Sequence, residues 1–355
     1  MRRGLISWSR AELPEAVLDA RVAAAQAAMA TANLDALVVY TTPSRTAGVA
    51  WLTGFVPYWN QGLLVVPGKG RPVLVSALSN RVNGWIKRNA HVADVRNAPR
   101  IGAEVSAIVA QTRPKARIGV VDMLHLPSAV VTDMASGGHT LENASDLLAA
   151  LRAVADPTDL ALHFRAAGIA HQALNAIPTG ATDAATVIAI VDGTARQLGA
   201  EEAYPALALD LQRSHALLRL EGAGPLGQQA AVRLSVAYKG AWVRMTRTLL
   251  RDPAHAAHLA TAAEKFATAV AALPKTIALA AFQSWLIEGT RTTSPLQPLA
   301  GSIIADAVSL FPGSLVNVQA TIDVDGIPIL VGAPALIGRD GALSSLLRPL
   351  DFASP

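Results

Sequence analysis

Val232-Arg233-Leu234-Ser235-Val236-Ala237-Tyr238-Lys239-Gly240-Ala241-Trp242-Val243-Arg244-Met245-Thr246-Arg247-Thr248 reads as a β-hairpin. Two runs of strand-favouring residues flank Lys239-Gly240, a turn signal. With those two residues as the turn, Tyr238 pairs with Ala241, Ser235 with Arg244, and Arg233 with Thr246. Paired residues share a sheet face, and side chains alternate along a strand. One face, made by Val232, Leu234, Val236, Tyr238, Val243 and Met245, is apolar and suits a core. The other carries Arg233, Ser235, Arg244 and Thr246, so two guanidiniums stand close together on one surface. Taken alone, such a face is a solvated one.

Outward from the hairpin, the chain divides in two. Residues 11–34 carry a helical stripe of Leu18, Val22, Ala25 and Met29. Residues 36–40 read as a buried strand and 62–66 with 72–75 as a hairpin. Helix-like segments at 79–88, 101–112 and 127–135 alternate with strands near 92–95 and at 117–121. This alternation predicts an α/β layer structure. Residues 147–154 form the joint, giving an N-terminal domain over 1–154 and a C-terminal domain over 155–355. After it come helices from Thr158, at 181–197, at 253–272 and at 276–287. A Thr/Ser/Pro-rich loop follows at 290–300. Strands are expected at 315–322, 327–331 and 335–337.

At 355 residues with 52% apolar composition, the chain can bury two cores. It has no cysteine, which excludes disulfides, thiolate metal sites and a cysteine nucleophile. No apolar stretch has signal-peptide or membrane-spanning length, so a cytoplasmic protein is expected. The net charge of +4 is spread along the chain without a basic run interleaved with aromatics. That argues against nucleic acid and fits an anionic small molecule. Gly222-x-Gly224-x-x-Gly227 contains Pro225 and precedes a strand, so it is not a dinucleotide fingerprint. His255 and His258 with Glu264 have helical spacing, but an ordinary helix start explains them.

The hairpin resembles that of the creatinase, prolidase and aminopeptidase P family. There an Asp, then ten residues, then a second Asp followed by a closing Thr-Arg-Thr form the motif, and the two aspartates bind a pair of divalent metals. Here the spacing 244 − 233 = 11 is kept, as is Thr246-Arg247-Thr248, but both aspartate positions hold arginine. Further similarities are Ala50-Trp51-Leu52-Thr53-Gly54-Phe55, Leu151-Arg152-Ala153-Val154, Pro274-Lys275-Thr276 and Pro312-Gly313-Ser314-Leu315-Val316. The resemblance implies an α/β creatinase-like N-terminal domain, an α+β "pita-bread" C-terminal domain, and a homodimer. It places Gln319 and Gly332 at the family's two glutamate positions and Ser302 at its metal-binding histidine. None of these suits a dication, so no catalytic metal and no other cofactor is expected.

In that fold the arginine face lines the cleft, and guanidinium binds carboxylate bidentately. The resemblance therefore implies two readings. One is a metal-independent C–N hydrolase acting on a small anionic nitrogen compound. In it Arg233, Arg244, Thr246 and Gln319 bind substrate and His215, 18 residues before Arg233, moves the proton. Tyr58 and Trp59 are candidate substrate contacts from the N-terminal domain. The other is an inactive family member that binds a ligand or a protein. Glu201, Glu202, Asp210, Asp323 and Asp325 are the carboxylates within the chain that could neutralise the arginines.

Overall fold

The computed structural model describes residues 8–43, 45–56, 60–219, 222–272, 284–289, 312–338 and 343–345, the last strand and 284–289 by backbone alone. The chain divides into two compact units near Arg152 and Ala153.

The first unit is built on β1 (Ala36–Thr41), whose six residues are all buried. Its continuous apolar run is explained by helices on both faces of the sheet. Leu37 and Val39 pack with Val22, Ala25 and Met29 of α1 (Glu15–Thr31) and with α2 (Ala47–Thr53). Val38 and Tyr40 pack with Ile101, Val105 and Val109 of α4 (Ile101–Thr112) and with Val130 and Met134 of α5 (Ser128–Ala135). Antiparallel to β1 runs β2 (Gly62–Pro67), followed by β3 (Val73–Ser76), α3 (Asn83–Asn89) and β4 (Asp94–Asn97). On its other side β1 runs parallel to β5 (Arg117–Val121), which is parallel to β6 (Thr140–Asn143). The sheet order is β4-β3-β2-β1-β5-β6. The joint is helical, as α6 (Ser145–Ala153).

The second unit opens with α7 (Pro157–Asn175), started by a capping box between Asp156 and Asp159 with proline at its first turn. α8 (Ala184–Gln197) is capped by Asp183. Then come β7 (Glu202–Ala208), β8 (Gln229–Tyr238), β9 (Ala241–Leu250), α9 (Ala256–Ala272), β10 (Ser284–Gly289), β11 (Leu315–Val324), β12 (Ile327–Ile337) and β13 (Leu343–Ser345). All pair antiparallel in the order β10-β11-β12-β9-β8-β7, with β13 beside β12.

One face of this sheet is apolar. Val232, Leu234, Val236, Val243 and Met245 pack under α7 and α8. Val316, Val318, Ala320 and Val331 pack under α9. The two halves meet at the β9–β12 seam, which has one register pair among the described residues, Thr246 with Gly332. Side chains complete that seam. Thr248 Oγ1 donates to Leu330 O and accepts from Leu330 N, both at 2.8 Å. Asn317 Oδ1 accepts from the N–H of Arg244 at 2.9 Å.

Three expectations are corrected. The helix expected at 276–287 is strand from Ser284, where Trp285, Leu286 and Ile287 pair with β11; residues 276–283 and the 290–300 loop lie outside the described residues. The two strands at 327–331 and 335–337 are one, because Gly332 and Pro334 stay within the ladder to β11. The strand β7, at 202–208, has no counterpart in the sequence reading.

Candidate functional site

Lys239 and Gly240 have φ of 49° and 79°, the left-handed pair of a type I′ turn that suits a two-residue hairpin. Pairing follows the expected register: Tyr238 with Ala241, Ser235 with Arg244, Arg233 with Thr246. The ladders on either side extend that last pair into a row across five strands: Ala206, Arg233, Thr246, Gly332, Gln319. Two residues along, Tyr204, Ser235 and Arg244 form the next row on the same face. Arg233 and Arg244 are diagonal neighbours, about 7–8 Å apart along the backbone. They are 6% and 3% exposed, so this face is buried, not solvated.

The polar face is held by hydrogen bonds among its own side chains. Arg244 Nε donates to Ser235 Oγ at 3.2 Å, and Thr246 Oγ1 donates to Gln319 Oε1 at 2.8 Å. Tyr204 donates its hydroxyl to Glu202 Oε2. Its ring stacks on Trp242, centroids 5.8 Å apart, and Arg219 lies 5.4 Å over it. At one end Leu211 and Leu217 of the 209–219 segment pack on Ala208, Ala231 and Leu330 of this face. The Arg219–Tyr204–Trp242 stack escapes sequence reading because its members lie on three separate segments. Recognising β7 as a strand is the signal that would have put Tyr204 opposite Ser235.

All five candidate carboxylates have partners within the chain. Glu201 Oε2 accepts from Gly240 N at 3.1 Å, across the hairpin turn. Burial pushes its carboxyl above the usual range, against the pull of that bond and of Lys239. Asp210 faces Arg213 at 3.3 Å, Asp323 accepts from Gly326 N, and Asp325 lies 3.7 Å from His258. Glu202, bonded to Tyr204, shares the arginine face by register.

His215 lies exposed in the 209–219 segment, outside the strands that carry the arginines. Tyr58, Trp59 and Ser302 lie outside the described residues. Among the described residues, no three His, Asp or Glu gather in a way that could hold a metal ion. The row itself does not fit a dinuclear centre: arginine has donors only, and threonine, glycine and glutamine bring no negative charge. Nor is there room at Gly332. A Cβ there would come within 3.0 Å of Val318 O and 3.1 Å of Thr246 Oγ1.

Comparison with known proteins agrees with this architecture. Residues 21–154 match the Creatinase/Prolidase N-terminal domain. No curated protein sequence matches the chain. Among solved structures, the prolidase from Pyrococcus horikoshii OT3 superposes with a TM-score of 0.68 at 16% identity, covering 93% of this chain and 98% of that one. Dipeptidase PepE from Mycobacterium ulcerans gives 0.64 at 18% identity, covering 95% and 97%. The Xaa-Pro dipeptidase from Bacillus anthracis gives 0.65 at 17%, covering 93% and 97%. At these identities the likeness establishes the fold.

Proposed function

We propose that this chain, which joins a creatinase/prolidase N-terminal domain to a prolidase-like sheet, binds a small carboxylate on the polar face of that sheet. Guanidinium there takes the place of a dication. The observation that carries this reading is the burial of Arg233 and Arg244 side by side, with Ser235, Thr246 and Gln319 around them. Two guanidiniums on one face offer more donors than one carboxylate of the chain, Glu202 on the same face, can accept, which leaves donor capacity for a bound anion. A carboxylate accepts two parallel N–H bonds from one guanidinium, which fixes its orientation as well as its charge. The planar Tyr204–Trp242 stack beside them suits a flat, nitrogen-containing body on the same ligand.

Whether the ligand is turned over is a further step. As a metal-independent C–N hydrolase, the protein would use the arginines to hold substrate and His215 to transfer the proton. The exposed position of His215 and the commitment of the Thr246 hydroxyl to Gln319 favour a binding role over hydrolysis. Assembly as a homodimer belongs to the same reading.

The test is a thermal-shift screen of wild type and Arg233→Ala/Arg244→Ala against small carboxylates, guanidino acids and cyclic amidines. A ligand at a hundred times its Kd stabilises by about 2.7 kcal/mol. We expect a carboxylate hit that the double variant loses. A hit retained by the double variant, or none in wild type, overturns the reading. Turnover of the hit that His215→Ala abolishes would restore the hydrolase.

A further inference from the structure

The opposite, helix-covered face of the same sheet contains a recess. α7 covers one half and α9 the other, and over the β9–β12 seam they part. This shallow opening is lined by His171, Asn175, Met245, Arg247, Leu259 and Val331 among others. Most of this lining is apolar. Its one cation is Arg247, which β9 directs to this face while Thr246 and Thr248 point to the other.

Arg247 is fixed by a chain of hydrogen bonds whose polarity can be worked out. Its Nη1 donates to Asn175 Oδ1 and, at 3.5 Å, to Leu174 O at the end of α7. A guanidinium can only donate, so Asn175 must turn its oxygen toward it. The Asn175 amide nitrogen then faces His171 Nε2, at 2.8 Å. That nitrogen must accept, which makes His171 neutral with its proton on Nδ1. Neither acceptor of Arg247 is a carboxylate, and no ion pair involves Arg247 among the described residues. Nε and Nη2, the edge that binds carboxylates bidentately, are left without a protein acceptor among those residues. Burial also lowers the guanidinium's affinity for its proton, as expected of a cation that lacks a counter-charge.

We propose that this recess is a second ligand site, independent of the polar face, and that it takes a short-chain monocarboxylate. The carboxylate sits on Nε and Nη2 of Arg247, and the alkyl tail lies on Met245, Leu259 and Val331. A single guanidinium matches a single negative charge. The apolar walls disfavour a strongly hydrated dianion such as phosphate.

Butyrate titrated into the full-length chain, read by calorimetry, tests this. The titration is run in wild type and in Arg233→Ala/Arg244→Ala, so that the polar-face site cannot supply the signal. Binding is expected in both. Arg247→Gln should abolish it. Ala263→Leu, which fills the recess and leaves Arg247 in place, should weaken it at least tenfold, about 1.4 kcal/mol. Butanol, of the same length but uncharged, should bind at least tenfold more weakly than butyrate. No binding of butyrate to wild type overturns the proposal. So does binding lost in the Arg233/Arg244 variant, or binding unaffected by Ala263→Leu. The last variant decides the matter if Arg247→Gln does not fold.

Discussion

The two faces of the seven-stranded sheet come from the same strands and follow opposite rules. On the helix-covered face Val232, Leu234 and Val236 are fully buried and interchangeable in kind: each contributes area and volume to one core. On the polar face Arg233, Ser235, Arg244 and Thr246 are buried nearly as deeply, yet each is tied to a specific partner or charge. Burial alone therefore does not mark the core here. The fold as a whole is shared with a prolidase at 16% identity and a dipeptidase at 18%. The polar face carries the side chains on which a ligand reading rests.

The contrast can be broken most forcefully at Leu234. Leu234→Ala leaves a cavity under α7 and should cost about 2–5 kcal/mol in urea unfolding. Thr246→Ala, one strand away on the polar face, removes one hydrogen bond and should cost about 1 kcal/mol. Equal losses would mean that the two faces are energetically alike. An effect between these two is expected at the seam. Thr248→Val keeps shape but deprives both the N–H and the C=O of Leu330 of their partner, at a cost of about 1–3 kcal/mol. Hydrogen exchange at Leu330 should accelerate with it; unchanged protection would show that other groups hold the seam.

The smallest expected effect concerns Glu201, a carboxyl buried beside the hairpin turn. Its folded pKa lies above the unfolded one, so the folded state prefers the protonated form. The stabilisation from that group is present in acid and lost as pH rises through the folded pKa. Glu201→Gln should therefore raise Tm at neutral pH and lose that advantage as the solution is acidified. A Tm difference independent of pH would remove the burial argument.

Much of this architecture is legible in the sequence where local chemistry and tertiary demand coincide. Lys239-Gly240 sets the hairpin register because few residues tolerate two successive left-handed conformations. Val22, Ala25 and Met29 mark the buried stripe of α1. The reading fails where the sheet overrides propensity. β7 contains Pro205 and Glu202 and has little strand character of its own; it forms because β8 offers a ladder. β12 keeps Gly332 and Pro334, both strand-breaking in isolation, within its ladder to β11; at Gly332 a Cβ would crowd Val318 O of β11 and Thr246 of β9. The candidate site was legible as a face, from the alternation of Arg233, Ser235, Arg244 and Thr246. Its burial was not, since burial is set by segments distant in sequence, among them β7, which brings Tyr204 opposite Ser235.

The β9–β12 seam has a mechanical meaning. The larger part of each side packs in its own hydrophobic core, one under α7 and α8 and one under α9, with Leu315 of β11 crossing into the first. Among the described residues the line between them is bridged by one register pair, Thr246 with Gly332, by the side chains of Thr248, Asn317 and Gln319, and by Leu330, which packs with Ala208 and Ala231. In the language of materials this is a perforation. A load across the sheet would meet that line as a change in the kind of contact, and Gln319, which reaches from β11 to the Thr246 hydroxyl on β9, serves there as a rivet.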